Sequence, residues 1–290
     1  MTLDFATLTA AEFRTTFVPP TGAAGPDVAG VEDLAIAGPG TEIALRSYRP
    51  HLAGPLPMTL YLHGGGFVIG DIAMTDAICR VLSLASGSLV ISVDYRLAPE
   101  TPFPGGLVDA AAALDWIHDN AGGLGGRPDR IAVAGDSSGA TFAAALAQRS
   151  RHTGPRIHHQ LLIYPPLDDR CDTETFAEYA EGYLLTADLM RWYWRQYLRH
   201  PDHGHDPYAA PARQRNLRGL PPATIHTAGC DVLRAEAERY AAGLAAAGVP
   251  TELVDWPGQL HGFLLQQGSN PDAHAALTRA GHALAAAFAR

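Results

Sequence analysis

From Met58 onward the sequence repeats one rhythm: a short unbroken apolar run, a turn marked by Gly or Pro, then a stretch with helical spacing. The apolar runs are Met58–Leu62, Leu89–Val93, Ile131–Ala134, Ile157–Tyr164, Ala223–Thr227 and Thr251–Trp256. The helical stretches are Asp76–Ala85, Pro104–Asn120, Ser138–Arg151 and Glu236–Ala247. Unbroken apolar runs suit strands buried on both faces, as in a parallel sheet. Their alternation with helices predicts βα crossovers. Two earlier runs, Val31–Ala37 and Glu42–Tyr48, are separated only by Gly38-Pro39-Gly40-Thr41, a hairpin turn. The expected fold class is therefore α/β: a mostly parallel, twisted sheet of eight strands flanked by helices, antiparallel at its start. A chain of 290 residues buries roughly 75% of its extended surface, enough for one large core. Residues 1–290 are read as a single domain.

One interval breaks the rhythm. Between about 167 and 222 no good strand occurs, and about 55 residues are too many for a plain crossover. This segment holds Ala180–Thr186, an aromatic helix over Ala187–Leu198 and a Pro-rich loop. Residues 1 to about 25 are mildly amphipathic, with Leu3, Phe5, Leu8, Phe13 and Phe17 at loose helical spacing before the stop at Pro19-Pro20-Thr21-Gly22. Both segments are expected to form a helical cap over one end of the sheet. Trp192, Tyr193, Trp194 and Tyr197 are expected to pack that insert against the sheet.

What is absent narrows the chemistry. Every basic residue is Arg; no Lys occurs. That removes Schiff-base and PLP enzymes, Ser-Lys dyads and the Walker A loop. A net charge of −9 without a basic block argues against nucleic acid as a partner. Cys79, Cys171 and Cys230 are odd in number and far apart, so neither a disulfide framework nor a zinc knuckle is indicated. The pair in His203-Gly204-His205-Asp206 lacks further ligand spacing, so no metal is assigned. The N-terminus has no basic and apolar leader pattern, and no run approaches the roughly 18 apolar residues of a membrane span. A cytoplasmic location is expected.

Four signals carry chemistry. Ile131–Ala140 reads as a strand, then Gly135-Asp136-Ser137-Ser138-Gly139, then a helix. A nucleophile elbow needs that context, because a sharp strand-to-helix turn presents the serine at its tip. By phase, Ser137 is the nucleophile; alone, the motif also fits an ordinary βα turn. Leu60–Phe67 places His63-Gly64-Gly65-Gly66 just after a strand. Consecutive glycines let amides point at one spot where an oxyanion develops. Gly64 and Gly65 are the expected donors, joined by the amide of Ser138. Asp231 follows the seventh strand and His261 the eighth, giving the order Ser, acid, His. Asp231 alone also reads as a helix cap, and His261 is one of 13 histidines. The conjunction of all four at the C-terminal ends of strands is what points to catalysis. Phe5, Phe13, Phe17, Phe67, Tyr183, Leu184 and Leu185 are expected to wall the substrate pocket. The turn Asp94–Glu100 is expected to brace the oxyanion loop through buried ion pairs.

His63–Gly66, Asp94–Glu100 (D-Y-R-L-A-P-E), Gly135–Gly139, Asp231-Val232-Leu233-Arg234 and His261-Gly262-Phe263 together resemble the hormone-sensitive lipase (bacterial type IV) family of esterases. The resemblance spans nearly the whole chain. It implies an α/β-hydrolase fold with a helical cap and hydrolysis of carboxylic esters by Ser137, His261 and Asp231, without cofactor. Ser138 stands where the family usually has Ala, and Val232 where it often has Pro. A roofed serine favours short-acyl esters as the small-molecule substrate. A non-catalytic receptor on the same scaffold, an acyltransferase and an amidase are the alternatives. The eighth strand, at a sheet edge, is a possible homodimer surface.

Overall fold

The computed structural model describes residues 4–17 and 25–290. Leu3 and the Pro19–Gly22 stop therefore lie outside the described residues. Eight strands form one sheet: β1 (Gly30–Ala37), β2 (Glu42–Arg49), β3 (Leu56–Leu62), β4 (Leu89–Asp94), β5 (Gly126–Asp136), β6 (His159–Ile163), β7 (Ala223–Cys230) and β8 (Thr251–Leu260). Their spatial order is β1-β2-β4-β3-β5-β6-β7-β8. The β1–β2 and β2–β4 pairs are antiparallel and every later pair is parallel. All eight expected runs are strands, and the expected switch from antiparallel to parallel pairing falls at β4, which pairs antiparallel with β2 and parallel with β3.

Nine helices are described: α1 (Ala10–Thr16), α2 (Asp76–Ser86), α3 (Gly105–Asp119), α4 (Ala121–Leu124), α5 (Ser138–Arg149), α6 (Glu174–Glu178), α7 (Ala187–Tyr197), α8 (Arg234–Ala246) and α9 (Pro271–Phe288). Strand residues alternate between two cores, because successive side chains point to opposite faces. Leu60, Leu62, Ile131 and Val133 face α3, α5 and α8. Tyr61, Ala132, Ala134 and Leu161 face α2 and α9. Both faces are thus covered, which is why the strands read as unbroken apolar runs.

The helix α9 is not among the helices expected from sequence, although its signals are present. Asn270 caps it by accepting from the Asp272 amide, and Pro271 opens it. Its buried residues Ala273, Ala276, Leu277, Ala280 and Leu284 keep helical spacing. Small side chains let it lie close against α2, where a methyl on Gly281 would collide with Ala85. Among the described residues no helix is long and apolar enough to cross a membrane.

Residues 167–222 contain α6, α7 and two short 3-10 turns, and no strand. A capping box between Thr9 and Glu12 starts α1. Phe13 of α1 packs on Trp192 and Tyr193 of α7 at 5.0 and 5.7 Å between ring centres. The Trp192 indole donates to the Leu8 carbonyl at 3.0 Å. The aromatic face of α7 packs on α1, on Phe67 and on Phe142 of α5 rather than on strands, because α5 already covers that sheet face.

Candidate active site

Ser137 sits between β5 and α5 with φ +50° and ψ −126°. A serine in that region is strained and must be held by its surroundings. Its amide donates to the Ile163 carbonyl at 2.9 Å. The end of β3 presses on the elbow from the other side: a methyl on Gly139 would collide with the Leu62 and His63 carbonyls. The turn is therefore clamped by both neighbouring strands.

The Ser137 hydroxyl lies 2.9 Å from His261 Nε2. His261 Nδ1 lies 2.7 Å from Asp231 Oδ2. The Asp231 side chain is fully buried, and its Oδ1 accepts the Leu233 amide at 3.0 Å. The carboxylate thus closes the turn before α8 with one oxygen and orients the imidazole with the other; it does not cap α8, whose N-cap residue is Leu233 and which has no side-chain cap. The strand β8 runs to Leu260, so His261 leaves directly from its C-terminal end. The Tyr164 ring, 4.7 Å from the imidazole centre, packs against it.

The glycine loop requires one correction. The Gly64 amide donates to Asp136 Oδ1 at 2.9 Å, so it is not free for a substrate oxygen. The same oxygen accepts the Tyr61 hydroxyl at 2.7 Å. The amides of Gly65 and Gly66 have no protein acceptor among the described residues, and both residues line the cavity over Ser137. Gly65 has φ +125°, and a methyl there would strike the Ile69 carbonyl. Ser138 opens α5, where the first amides of a helix have no intrahelical acceptor and the dipole favours negative charge. Gly65, Gly66 and Ser138 therefore carry amides without a protein acceptor among the described residues, next to the Ser137 hydroxyl. The sheet register carried the missing signal: Leu62 pairs Gly135, so one step further His63 comes opposite Asp136, whose carboxylate reaches the amide of the next residue, Gly64.

The turn does brace the loop, but chiefly by stacking and backbone hydrogen bonds; its ion pairs run to neighbouring elements and are not fully buried as expected, Glu100 being exposed. Tyr95 stacks on His63 at 4.2 Å and its hydroxyl donates to the His63 carbonyl at 2.6 Å. The Ala98 amide donates to the Phe67 carbonyl at 2.8 Å. Arg96 pairs with buried Asp109 of α3 at 2.7 Å, and Glu100 with Arg14 of α1 at 2.8 Å. Burial pushes the His63 imidazole down to about 4 and raises the Asp136 carboxyl above its ordinary range.

A cavity of about 80 Å³ opens over Ser137 and His261. Of the expected walls, Phe17, Leu184 and Leu185 line it. Four others do not. Phe13 is buried under α7, and Phe67 stacks on Tyr197 at 3.9 Å. Phe5 meets Arg195 on the outside of α7, and Tyr183 packs edge-on to Tyr179 at 5.1 Å. Ile69, Met74, Leu189, Met190, Tyr193 and Leu265 line it instead. No cluster of three or more metal-ligating side chains occurs among the described residues, and His203 packs on Phe103.

Residues 59–265 match the model of a family described by its alpha/beta hydrolase fold. The chain is 43% identical over 255 residues to the esterase LipI of Mycobacterium tuberculosis, spanning 86% of this chain and 79% of LipI. It is 41% identical over 248 residues to the carboxylic ester hydrolase LipN of the same organism, spanning 83% of this chain but 66% of LipN. Among solved structures, the thermostable carboxylesterase EstE1 from a metagenomic library superposes with a TM-score of 0.91 at 39% identity, covering 99% of both chains. The α/β hydrolase LAE6 from the metagenome of Lake Arreo does so at 0.92 and 39% identity, covering 100% of this chain and 93% of LAE6. With its sheet order, its serine elbow and these relatives taken together, the chain belongs to the α/β hydrolase fold family.

Proposed function

We propose that this chain is a carboxylic ester hydrolase of the hormone-sensitive lipase branch, acting on short-acyl esters through a covalent acyl-enzyme on Ser137. The observation that carries the reading is the unbroken chain from Ser137 through His261 to Asp231, with links of 2.9 and 2.7 Å, at the floor of an apolar cavity. The Ser137 oxygen attacks the acyl carbon while His261 Nε2 takes its proton. The amides of Gly65, Gly66 and Ser138 receive the developing oxyanion. His261 returns the proton to the leaving alcohol, and Asp231 holds the imidazole in the required tautomer. Water, deprotonated by the same imidazole, then releases the acid. Residues 4–17, the described part of the N-terminal segment, and those between 167 and 222 act as the cap: α1 and α7 pack on each other, and Phe17, Leu185 and Leu189 face the cavity.

The test is hydrolysis of p-nitrophenyl esters from acetate to decanoate by wild type, Ser137→Ala and Ser138→Ala. Loss of about 10⁶ in kcat is expected for Ser137→Ala, with activity retained in Ser138→Ala. The reverse pattern overturns the assignment, and failure of a fluorophosphonate to label Ser137 favours a receptor. Greater turnover with amides, or acyl transfer to added alcohol exceeding hydrolysis, would replace the esterase reading. The exposed edge of β8, which among the described residues pairs with β7 alone, is the surface for a homodimer; sedimentation velocity checks it.

A further inference from the structure

A second cavity, of about 390 Å³, lies at the opposite end of the sheet. It forms where the chain enters the parallel strands β5, β6 and β7 and meets the end of α9. Ile131 enters the paired part of β5 and Ser137 leaves it. Six strand residues at about 3.3 Å each put the cavity roughly 20 Å from the serine.

Its charge is opposite to that of the chain. The protein carries 30 acidic and 21 basic residues, yet Arg130, Arg151, Arg156 and Arg290 line this cavity and no carboxylate side chain does among the described residues. Asp129 Oδ2 is 3.6 Å from Arg130 Nη1 but also pairs with Arg127 at 2.9 Å. Arg156 has no ion-pair partner among the described residues. The Nε atoms of Arg130 and Arg151 are buried and also lack an acceptor there.

His158 shares this environment. Arg130 Nη1 lies 3.2 Å from His158 Nε2, and a guanidinium only donates, so Nδ1 carries the ring proton. That Nδ1 is buried with no acceptor among the described residues. Burial, then Arg156 and Arg130, hold this imidazole below its ordinary range, as a positive field requires. Leu220 and Pro221 supply an apolar wall beside the cations.

We propose that this cavity binds a small organic phosphate, with Arg130, Arg151 and Arg156 taking the phosphate oxygens and Leu220 and Pro221 the organic part. Guanidinium groups match phosphate geometry with two parallel hydrogen bonds, which an ordinary anion patch does not need. The volume exceeds what a lone phosphate fills. The proposal is independent of ester hydrolysis.

Isothermal titration of the intact protein at low salt tests it, with ATP, pyrophosphate and citrate as probes. ATP is expected to bind saturably at one site and more tightly than pyrophosphate. The double variant Arg130→Gln/Arg156→Gln is expected to weaken ATP at least about tenfold, because two guanidinium partners of the phosphate oxygens are lost. Arg156→Glu, at an exposed position, supplies a second variant if the double one does not fold. Ser137→Ala is expected to bind ATP as wild type does, which separates this site from the catalytic one. Absence of saturable binding at millimolar ATP, unchanged affinity in the folded arginine variants, or citrate binding as tightly as ATP would each overturn the proposal.

Discussion

The carboxylate of Asp136 holds the amide of Gly64 at 2.9 Å, and the residue after Asp136 is the serine of the elbow. One side chain therefore fixes the glycine loop to the nucleophile turn. Tyr61 reaches the same oxygen from β3, so the link is buried on the α2 and α9 face of the sheet.

Removing that link should misplace the oxyanion donors without touching the triad. Asp136→Ala is expected to lower kcat by about 10² with KM little changed, comparable to losing one oxyanion donor. Asp136→Asn keeps an oxygen acceptor for Gly64 and is expected to stay within about tenfold of wild type. Steady-state kinetics on p-nitrophenyl butyrate decide between them; equal effects of the two substitutions would show that the hydrogen bond is not what positions the loop.

Arg14 ties α1 to the same loop from outside. Its Nε donates to the Val68 carbonyl and its Nη2 to the Ala98 carbonyl, both at 2.9 Å. Glu100, its ion partner, is 63% exposed on its side chain. Exposed pairs contribute about 0–1 kcal/mol, whereas hydrogen bonds involving a charged group contribute about 1.5–3. Arg14→Ala is therefore expected to destabilise by about 2 kcal/mol in urea unfolding, and Glu100→Gln by under about 1. If Glu100→Gln matches Arg14→Ala, the ion pair dominates and the carbonyl contacts do not.

Leu184 is 55% exposed and lines the rim of the cavity. Shortening it should change selectivity and leave stability alone. Leu184→Ala is expected to raise the octanoate-to-butyrate ratio of kcat/KM by several-fold, since each added methylene buried in the opened space is worth about 0.8 kcal/mol. Thermal unfolding is expected to be unchanged. A constant ratio would remove Leu184 from the acyl wall.

Two buried histidines away from the site make stability depend on pH. Burial lowers His226 to about 3 and His159 to about 4. The unfolded chain protonates these rings near the ordinary imidazole value of about 6.5. Between that value and the folded values the unfolded state binds more protons, so stability is full above about 6.5 and falls as the pH drops towards 3–4. Each ring contributes a slope of about 1.4 kcal/mol per pH unit there. Glu236, buried and raised well above its ordinary range, acts in the opposite sense as the pH falls. Comparison with His226→Asn isolates the histidine, because the Asn oxygen can accept from Trp256 Nε1 as His226 Nδ1 does at 3.3 Å. The variant is expected to lose about one histidine's slope between pH 6 and 4.5; an unaltered slope would mean His226 titrates normally.

What the amino-acid order determines by itself is the alternation of strands and crossover helices, and the placement of Ser137, Asp231 and His261 after β5, β7 and β8. Those features are local: apolar runs, turn residues and their position relative to strand ends can be read along one dimension. The helix α9 was equally legible from Asn270, Pro271 and its spacing. Only the tertiary structure decides which glycine amides are free, because Gly64 and Gly65 are identical until the β3–β5 register brings Asp136 to one of them. The same holds for the cavity walls. Phe13 and Phe67 are as apolar as Phe17 and Leu184, and α1–α7 packing, not side-chain chemistry, sends the first pair into the core. The arginines at the far end of the sheet are separated by up to 160 positions, and only the meeting of strand entries with the last helix makes them one cluster.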